Sequence, residues 1–269
     1  MDFEWAVRLA EGAKLSRGNK PSVSVMKLAL VTGGAKGIGR SIASRLLDDG
    51  MDVAVLDCAE PTGSDSKIRF FKGDVTCLKD LEDLAERLLT LGGVDVLVNN
   101  AGIRGPTAPV SSYPLQDWEA VLKLNLTAPF LCCQLLTAPM REKRWGRIIN
   151  ISSMAGKTPY PLRSGYASSK WGLVGLSLTL AGELGSYGIT VNAVCPGPVE
   201  NQNMRLVMQE RAAATGQSFE EIRAGFIRQL AVPQLPEEAD VAAMVSYLAS
   251  DAAWCITGQA LEVSSGYRA

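Results

Sequence analysis

From Lys27 onward, short runs of consecutive apolar residues alternate with longer stretches in which apolar positions recur every three or four residues. The short runs, rich in Val, Ile and Leu, fall at 28–32, 53–57, 68–71, 94–98, 147–151, 189–194 and 260–263. Apolar runs of that length without polar alternation mark strands buried on both faces. The periodic stretches at 40–48, 78–91, 116–136, 167–184 and 237–249 read as helices. Strands alternating with helices predict right-handed crossovers and an α/β fold: one doubly wound, seven-stranded parallel sheet with helices on both faces. Ligands of such a sheet bind at the carboxyl ends of its strands.

Two segments break the rhythm. Residues 196–236, beginning "PGPVENQNM", are about twice as long as an ordinary connection. They are bounded by prolines and hold helical pieces, so they are either a substrate lid over the sheet's carboxyl edge or a helical hairpin packed for stability. Residues 1–26 carry Asp2 and Glu4 and lack a continuous apolar core, which makes them a poor signal peptide. The expectation is a dispensable N-terminal extension before one domain at 27–269.

Composition narrows the function classes. The formal charge is -1, from 27 basic and 28 acidic residues, so no basic excess points to nucleic acid and no charge block to a membrane surface. The longest apolar runs are strand-sized, which predicts no transmembrane helix. The chain has no histidine, and its six cysteines fall at no metal-ligand spacing. A zinc site and a Ser-His-Asp triad are therefore close to excluded. Free, buried thiols and a cytoplasmic location are expected.

"LALVTGGAKGIGRSIASRLL" reads as a strand, a glycine-rich turn and a helix. Gly33, Gly37 and Gly39 sit where backbone must turn tightly and approach a pyrophosphate, with Lys36 and Ile38 between them. The helix that follows offers its N-terminal amides to the anion. The second apolar run ends at Asp57, eighteen residues beyond Gly39. A carboxylate there accepts hydrogen bonds from adenosine ribose hydroxyls and repels a 2'-phosphate, which favours NAD over NADP. Lys36 argues the other way, because it can meet a 2'-phosphate, and NADP stays open. Asp74 and Val75 in "KGDVT" stand where an adenine edge fits, and Asn100, Ala101 and Gly102 in "NNAG" allow close approach of a ligand.

"GRIINISSMAG" is a strand ending at Ser152 and Ser153; Tyr166 follows thirteen residues after Ser153, and Lys170 lies one helical turn beyond that. Asn125 stands inside a long apolar helix, where an unpaired amide is costly. From "TGGAKGIG" through "NNAG", Asn125, Ser153 and "YASSK" to "PGPV", the chain resembles the single-domain branch of the short-chain dehydrogenase/reductase family. That resemblance implies a Rossmann-type domain and a catalytic tetrad of Asn125, Ser153, Tyr166 and Lys170. Tyr166 then takes the hydroxyl proton of an alcohol, or returns one to a carbonyl oxygen. A nearby ammonium and an oxidised nicotinamide both favour its phenolate. Ser153 holds the substrate oxygen, Lys170 the nicotinamide ribose, and Asn125 a proton-relaying water. Pro196, Gly197 and Val199 give backbone to the nicotinamide, although "PGPVENQNM" has Glu200 and Asn201 where the family commonly has a threonine.

Family members that reduce carbon–carbon double bonds usually have a wider Tyr-to-Lys interval, so by resemblance "YASSK" implies alcohol and carbonyl chemistry, and Asp57 makes NAD the preferred cofactor. Arg104, Lys157 and Arg163 lie on loops expected near the pocket and could bind an anionic substrate. Within the family, a 3-oxoacyl-thioester (acyl carrier protein) reductase using NADPH shares the whole pattern. A sugar or polyol dehydrogenase is also compatible. In another class stands a catalytically silent nucleotide-binding sensor or scaffold. By resemblance alone the chain is expected to be a homotetramer built through the helices at 116–136 and 167–184.

Overall fold

Seven parallel strands form one sheet in a computed structural model that describes residues 26–61 and 66–268. In chain order they are β1 (Leu28–Thr32), β2 (Asp52–Asp57), β3 (Ile68–Lys72), β4 (Val96–Asn99), β5 (Gly146–Ile151), β6 (Ile189–Pro196) and β7 (Ala260–Val263). They lie in the order β3-β2-β1-β4-β5-β6-β7. Every run read as a strand is one, within two residues at either end. The N-terminal extension lies outside the described residues apart from Met26.

The absence of polar alternation has a direct cause. Leu28 and Leu30 of β1 pack into one apolar layer, and Ala29 and Val31 into the other. The first layer is closed by α2 (Leu78–Thr90), which contributes Leu81, Leu84 and Leu88. Beside it lie α4 (Ala128–Lys143) and α5 (Ser164–Leu184). The second layer is closed by α1 (Gly37–Asp48) and α8 (Glu238–Ala249), through Ile42 and Leu46 of one and Val245 and Leu248 of the other. Both faces of the sheet are therefore dry, as a parallel sheet requires.

The stretch at 116–136 is not one regular helix. α3 (Leu115–Leu122) passes through a π-helical turn, Lys123–Thr127, into α4. The wider turn contains Asn125, fully buried, and its amide binds the backbone of Ile103 on both sides. Nδ2 donates to the Ile103 carbonyl at 2.8 Å and Oδ1 accepts from its N–H at 2.9 Å. Such single-turn π bulges cluster at functional sites. The whole segment Leu115–Lys143 is also long and apolar enough to cross a membrane by length and composition. That corrects the expectation that every apolar run is strand-sized; here Cys132, Leu136 and Met140 cover the sheet.

The long insertion folds as α6 (Gln202–Thr215) and α7 (Phe219–Arg228). Met208, Ile222, Phe226, Leu230 and Leu235 give it a small apolar core of its own, separate from the two layers. Asn201 caps α6 through its side chain, and Ser218 with Glu221 forms a capping box on α7. A packed hairpin and a cavity wall are thus combined, because the same element turns Met204, Val207 and Phe226 toward the cavity described next.

Candidate active site

A cavity of about 890 Å³ opens at the carboxyl ends of the strands, where the sheet order reverses between β1 and β4. That size is ordinary for a small-molecule or cofactor site. One end is walled by Gly33, Lys36, Gly37, Ile38, Gly39, Asp57, Asp74 and Val75, and the middle by Asn100, Ala101, Gly102, Pro196, Gly197 and Val199. The other end holds Arg104, Ser153, Tyr160, Arg163, Tyr166, Lys170, Phe226 and Tyr267.

The first end is suited to a dinucleotide. No side chain caps the N-terminus of α1, and no acidic residue stands in its first turn. Its free amides therefore face the cavity with the positive end of the helix dipole, which is what a pyrophosphate needs. Asp57, at the end of β2, is fixed by the N–H groups of Ala35 and Ala59, each at 3.0 Å. Its remaining lone pairs are available to ribose hydroxyls. Lys36 is exposed at the rim. Asn100 also braces the fold here. Its Nδ2 donates to the Thr32 and Gly33 carbonyls at 3.0 and 2.9 Å, stapling the glycine turn to the end of β4.

Two of the three glycines, Gly33 at φ +66° and Gly37 at φ +60°, are required by backbone angle, and the third by space. A Cβ on Gly37 would make only an ordinary contact with Glu238 Oε1 at 3.5 Å, whereas a Cβ on Gly39 would press on the Gly33 carbonyl oxygen and the Asn100 amide. Gly39→Ala is therefore expected to destabilise the fold by about 1–3 kcal/mol through overpacking and to weaken dinucleotide binding. Urea titration and NADH fluorescence titration of the variant check both.

At the other end, α5 begins at Ser164, three residues earlier than apolar periodicity indicates, because its first turn is built from small and polar residues. Tyr166 thus stands in the first turn, partly buried, and Lys170 one turn later, almost completely buried. The Lys170 Nζ donates to the Ile151 carbonyl at 2.7 Å and lies 5.8 Å from the centroid of the Tyr166 ring. Burial lowers the Lys170 pKa to about 8. Burial raises that of Tyr166, against a side-chain hydrogen bond with Ser153 and the charges of Arg104 and Arg163. In the protein alone the phenol is therefore harder to ionise than a free tyrosine, a difference from the expectation that its cationic neighbours dominate.

The Ser153 hydroxyl accepts from the Ala155 N–H at 3.1 Å and still faces Tyr166. Asn125 reaches the same helix through Ser169. Its Nδ2 donates to the Ser169 Oγ at 3.0 Å, and that hydroxyl donates to the Tyr166 carbonyl at 2.7 Å. Ser153, Tyr166 and Lys170 are thus brought to one wall by a strand end and the start of α5, whereas Asn125, fully buried on the π turn, stands behind that wall and does not line the cavity.

Two expectations about the rest of the site need correction. Lys157 does not line the cavity; its ammonium pairs with Glu262 on β7 at 2.6 Å and donates to the Ala260 carbonyl at 3.1 Å. A cation satisfied by the sheet edge has no charge left for a substrate. The cysteines are free, but Cys58 and Cys255 are exposed rather than buried. Glu200, beside "PGPV", pairs with Arg223 at 2.9 Å and stays out of the cavity, while Asn201 lines it. Tyr160, Met204, Phe226 and Tyr267 also line it without any motif to announce them. Their only sequence signal is apolar or aromatic character, on the loop before α5 for Tyr160, on the insertion for Met204 and Phe226, and near the C-terminus for Tyr267.

Residues 27–212 match the family model described as short chain dehydrogenase. The chain is 35% identical over 251 residues to the 3-oxoacyl-(acyl-carrier-protein) reductase of Staphylococcus epidermidis, covering 89% of this chain and 98% of that protein. A solved actinorhodin polyketide ketoreductase with NADPH is 32% identical, with a TM-score of 0.82, and the match covers 90% of this chain and 97% of that one. An NAD⁺-bound xylitol dehydrogenase is 27% identical at a TM-score of 0.82, over 90% of this chain and all of the other.

Proposed function

The chain belongs to the short-chain dehydrogenase family, and we propose that it interconverts a secondary alcohol and a carbonyl compound with NAD preferred and Tyr166 as acid/base. As a family member it is an oxidoreductase acting on CH–OH and keto groups, and it uses a nicotinamide cofactor. The observation that carries the finer reading is a single cavity with Asp57 at one end and Ser153, Tyr166 and Lys170 at the other.

When bound, the dinucleotide supplies the hydride acceptor or donor. The free amides of α1 hold its pyrophosphate, Asp57 its adenosine ribose, and Lys170 Nζ the second ribose. The Tyr166 hydroxyl oxygen takes the proton of the alcohol, or gives one to the carbonyl oxygen. Ser153 Oγ holds that same oxygen. Asn125 fixes the π turn and, through Ser169, the first turn of α5, which aims the phenol. α6 and α7 act as a lid that keeps water from the reacting carbon. Exposed Phe130 and Trp171, on α4 and α5, support assembly through these helices into a homotetramer.

Titration of NADH and NADPH fluorescence tests the cofactor assignment. NADH is expected to bind more tightly, and Asp57→Ala to narrow the ratio about tenfold, equivalent to about 1.4 kcal/mol. Stronger NADPH binding by the unaltered protein would sink the NAD reading and bring Lys36 forward. A second reading, a 3-oxoacyl-thioester reductase, is supported by the Staphylococcus relative and by Lys36 at the rim. Rapid reduction of acetoacetyl-CoA with NADPH favours it. Turnover of any alcohol or ketone removes the alternative of a silent nucleotide sensor.

A further inference from the structure

We propose that Arg104 and Arg163 form an oxyanion clamp, so that the substrate is a secondary alcohol or ketone carrying a carboxylate, sulfonate or phosphate close to the reacting carbon. The inference rests on the alcohol–carbonyl reading above and narrows it to one class of compound.

Both guanidiniums line the end of the cavity that holds Tyr166. They come from two loops that are tied together: Arg163 Nη1 donates to the Gly105 carbonyl at 2.7 Å, and the Ala108 N–H donates to the Leu162 carbonyl at 2.9 Å. Leu162 adopts φ +64°, a left-handed conformation that is strained for a leucine. The strain falls on the residue that delivers Arg163 to the start of α5. One donor of Arg163 is therefore committed, and the rest of its fork is free to grip two oxygens.

Neither arginine forms an ion pair among the described residues, and the Arg104 Nη1 is buried without a hydrogen-bond partner. A buried, unmatched donor on a charged group is costly, and two such cations side by side are more so. The acidic residues on the cavity wall are Asp57 and Asp74, both at the adenosine end. Glu210 of α6 acts on Arg163 through space but makes no ion pair with it. An anion brought by the substrate completes the set. It has to sit near the reacting carbon, because Arg163 precedes Tyr166 by three residues and the charges of both arginines reach the phenol.

The test is oxidation with NAD⁺ of 3-hydroxybutanoate, 2-hydroxypropanesulfonate and 2-hydroxypropyl phosphate, against uncharged 1,3-butanediol. At least one anionic alcohol is expected to exceed the diol by a hundredfold or more in kcat/KM, and the best of the three names the anion. Arg104→Gln removes no hydrogen bond within the protein, so it is the variant that keeps the fold. Its kcat/KM is expected to fall at least tenfold more for that anion than for the diol, mainly through KM. Arg163→Lys, which keeps the charge and loses the fork, should fall in between. Quenching of bound NADH by 3-hydroxybutanoate, which cannot accept a hydride, gives a second readout without turnover, weakened at least tenfold in Arg104→Gln.

A diol oxidised as well as every anion would overturn the clamp and leave the alcohol–carbonyl reading standing. Equal losses on charged and uncharged alcohols in Arg104→Gln would also overturn it, as would a Glu210→Gln variant in which the anion preference disappears. Quenching by 3-hydroxybutanoate that is indifferent to Arg104 overturns it even if no alcohol is turned over; absence of all turnover, by contrast, counts against the proposed function.

Discussion

Replacing Tyr166 with phenylalanine is expected to lower kcat/KM for alcohol oxidation about 10²- to 10⁴-fold, the range ascribed to a positioned acid/base, while NADH affinity changes only a few-fold. Phenylalanine keeps the ring and its contact with Tyr160, whose centroid lies 6.3 Å away, so the loss falls on the hydroxyl. Burial holds the Tyr166 pKa above the ordinary 10 in the protein alone, although Ser153, Arg104 and Arg163 oppose it. A base that reluctant needs another positive charge, and oxidised nicotinamide carries one. Ultraviolet difference titration of wild type against the variant should therefore place the Tyr166 midpoint above that of a free tyrosine without NAD⁺, and lower it when NAD⁺ is bound. A variant retaining more than a tenth of the activity would end the assignment.

The sheet was legible because each strand is a local run of apolar residues, and both faces being dry removes the alternation that would obscure them. The glycine turn, Asp57 and the Ser153–Tyr166–Lys170 spacing were legible for a similar reason: each is a short segment whose chemistry depends on its neighbours in sequence. The π turn was not. Its signal is one asparagine in an apolar helix, and only the Ile103 backbone, 22 positions earlier, explains why the helix widens there. Lys157 misled for the converse reason, since its partner Glu262 lies more than a hundred residues away on β7. Arg104 and Arg163 could each be nominated from a loop. That they share one wall, with one donor buried and unmatched, is a fact of the fold.

Lys170→Met is expected to separate function from stability. The methionine matches the stem in volume but has no donor for a ribose hydroxyl and no charge beside the phenol. kcat/KM should fall about 10²-fold or more, with NAD⁺ affinity lowered as well. Stability should move the other way. Burial depresses the Lys170 pKa from 10.5 to about 8, with a smaller opposing influence from Cys195. Below pH 8 the ammonium is charged in both states, and the folded protein bears the cost of burying it. Between pH 8 and 10.5 the folded protein has released this proton while the unfolded chain still binds it. The unfolded state then holds more protons, so this group makes stability rise with pH across that window. The depression corresponds to an order of magnitude of about 3 kcal/mol. Wild type should thus gain urea resistance relative to Lys170→Met between pH 8 and 10.5, while at pH 7 the variant is at least as stable. Measuring the two midpoints at pH 7 and pH 10, alongside NAD⁺ binding, decides the residue's role. A variant that loses activity and stability together at pH 7 would make Lys170 a prop for the Ile151 strand end; lost activity in a protein no less stable makes it part of the chemistry.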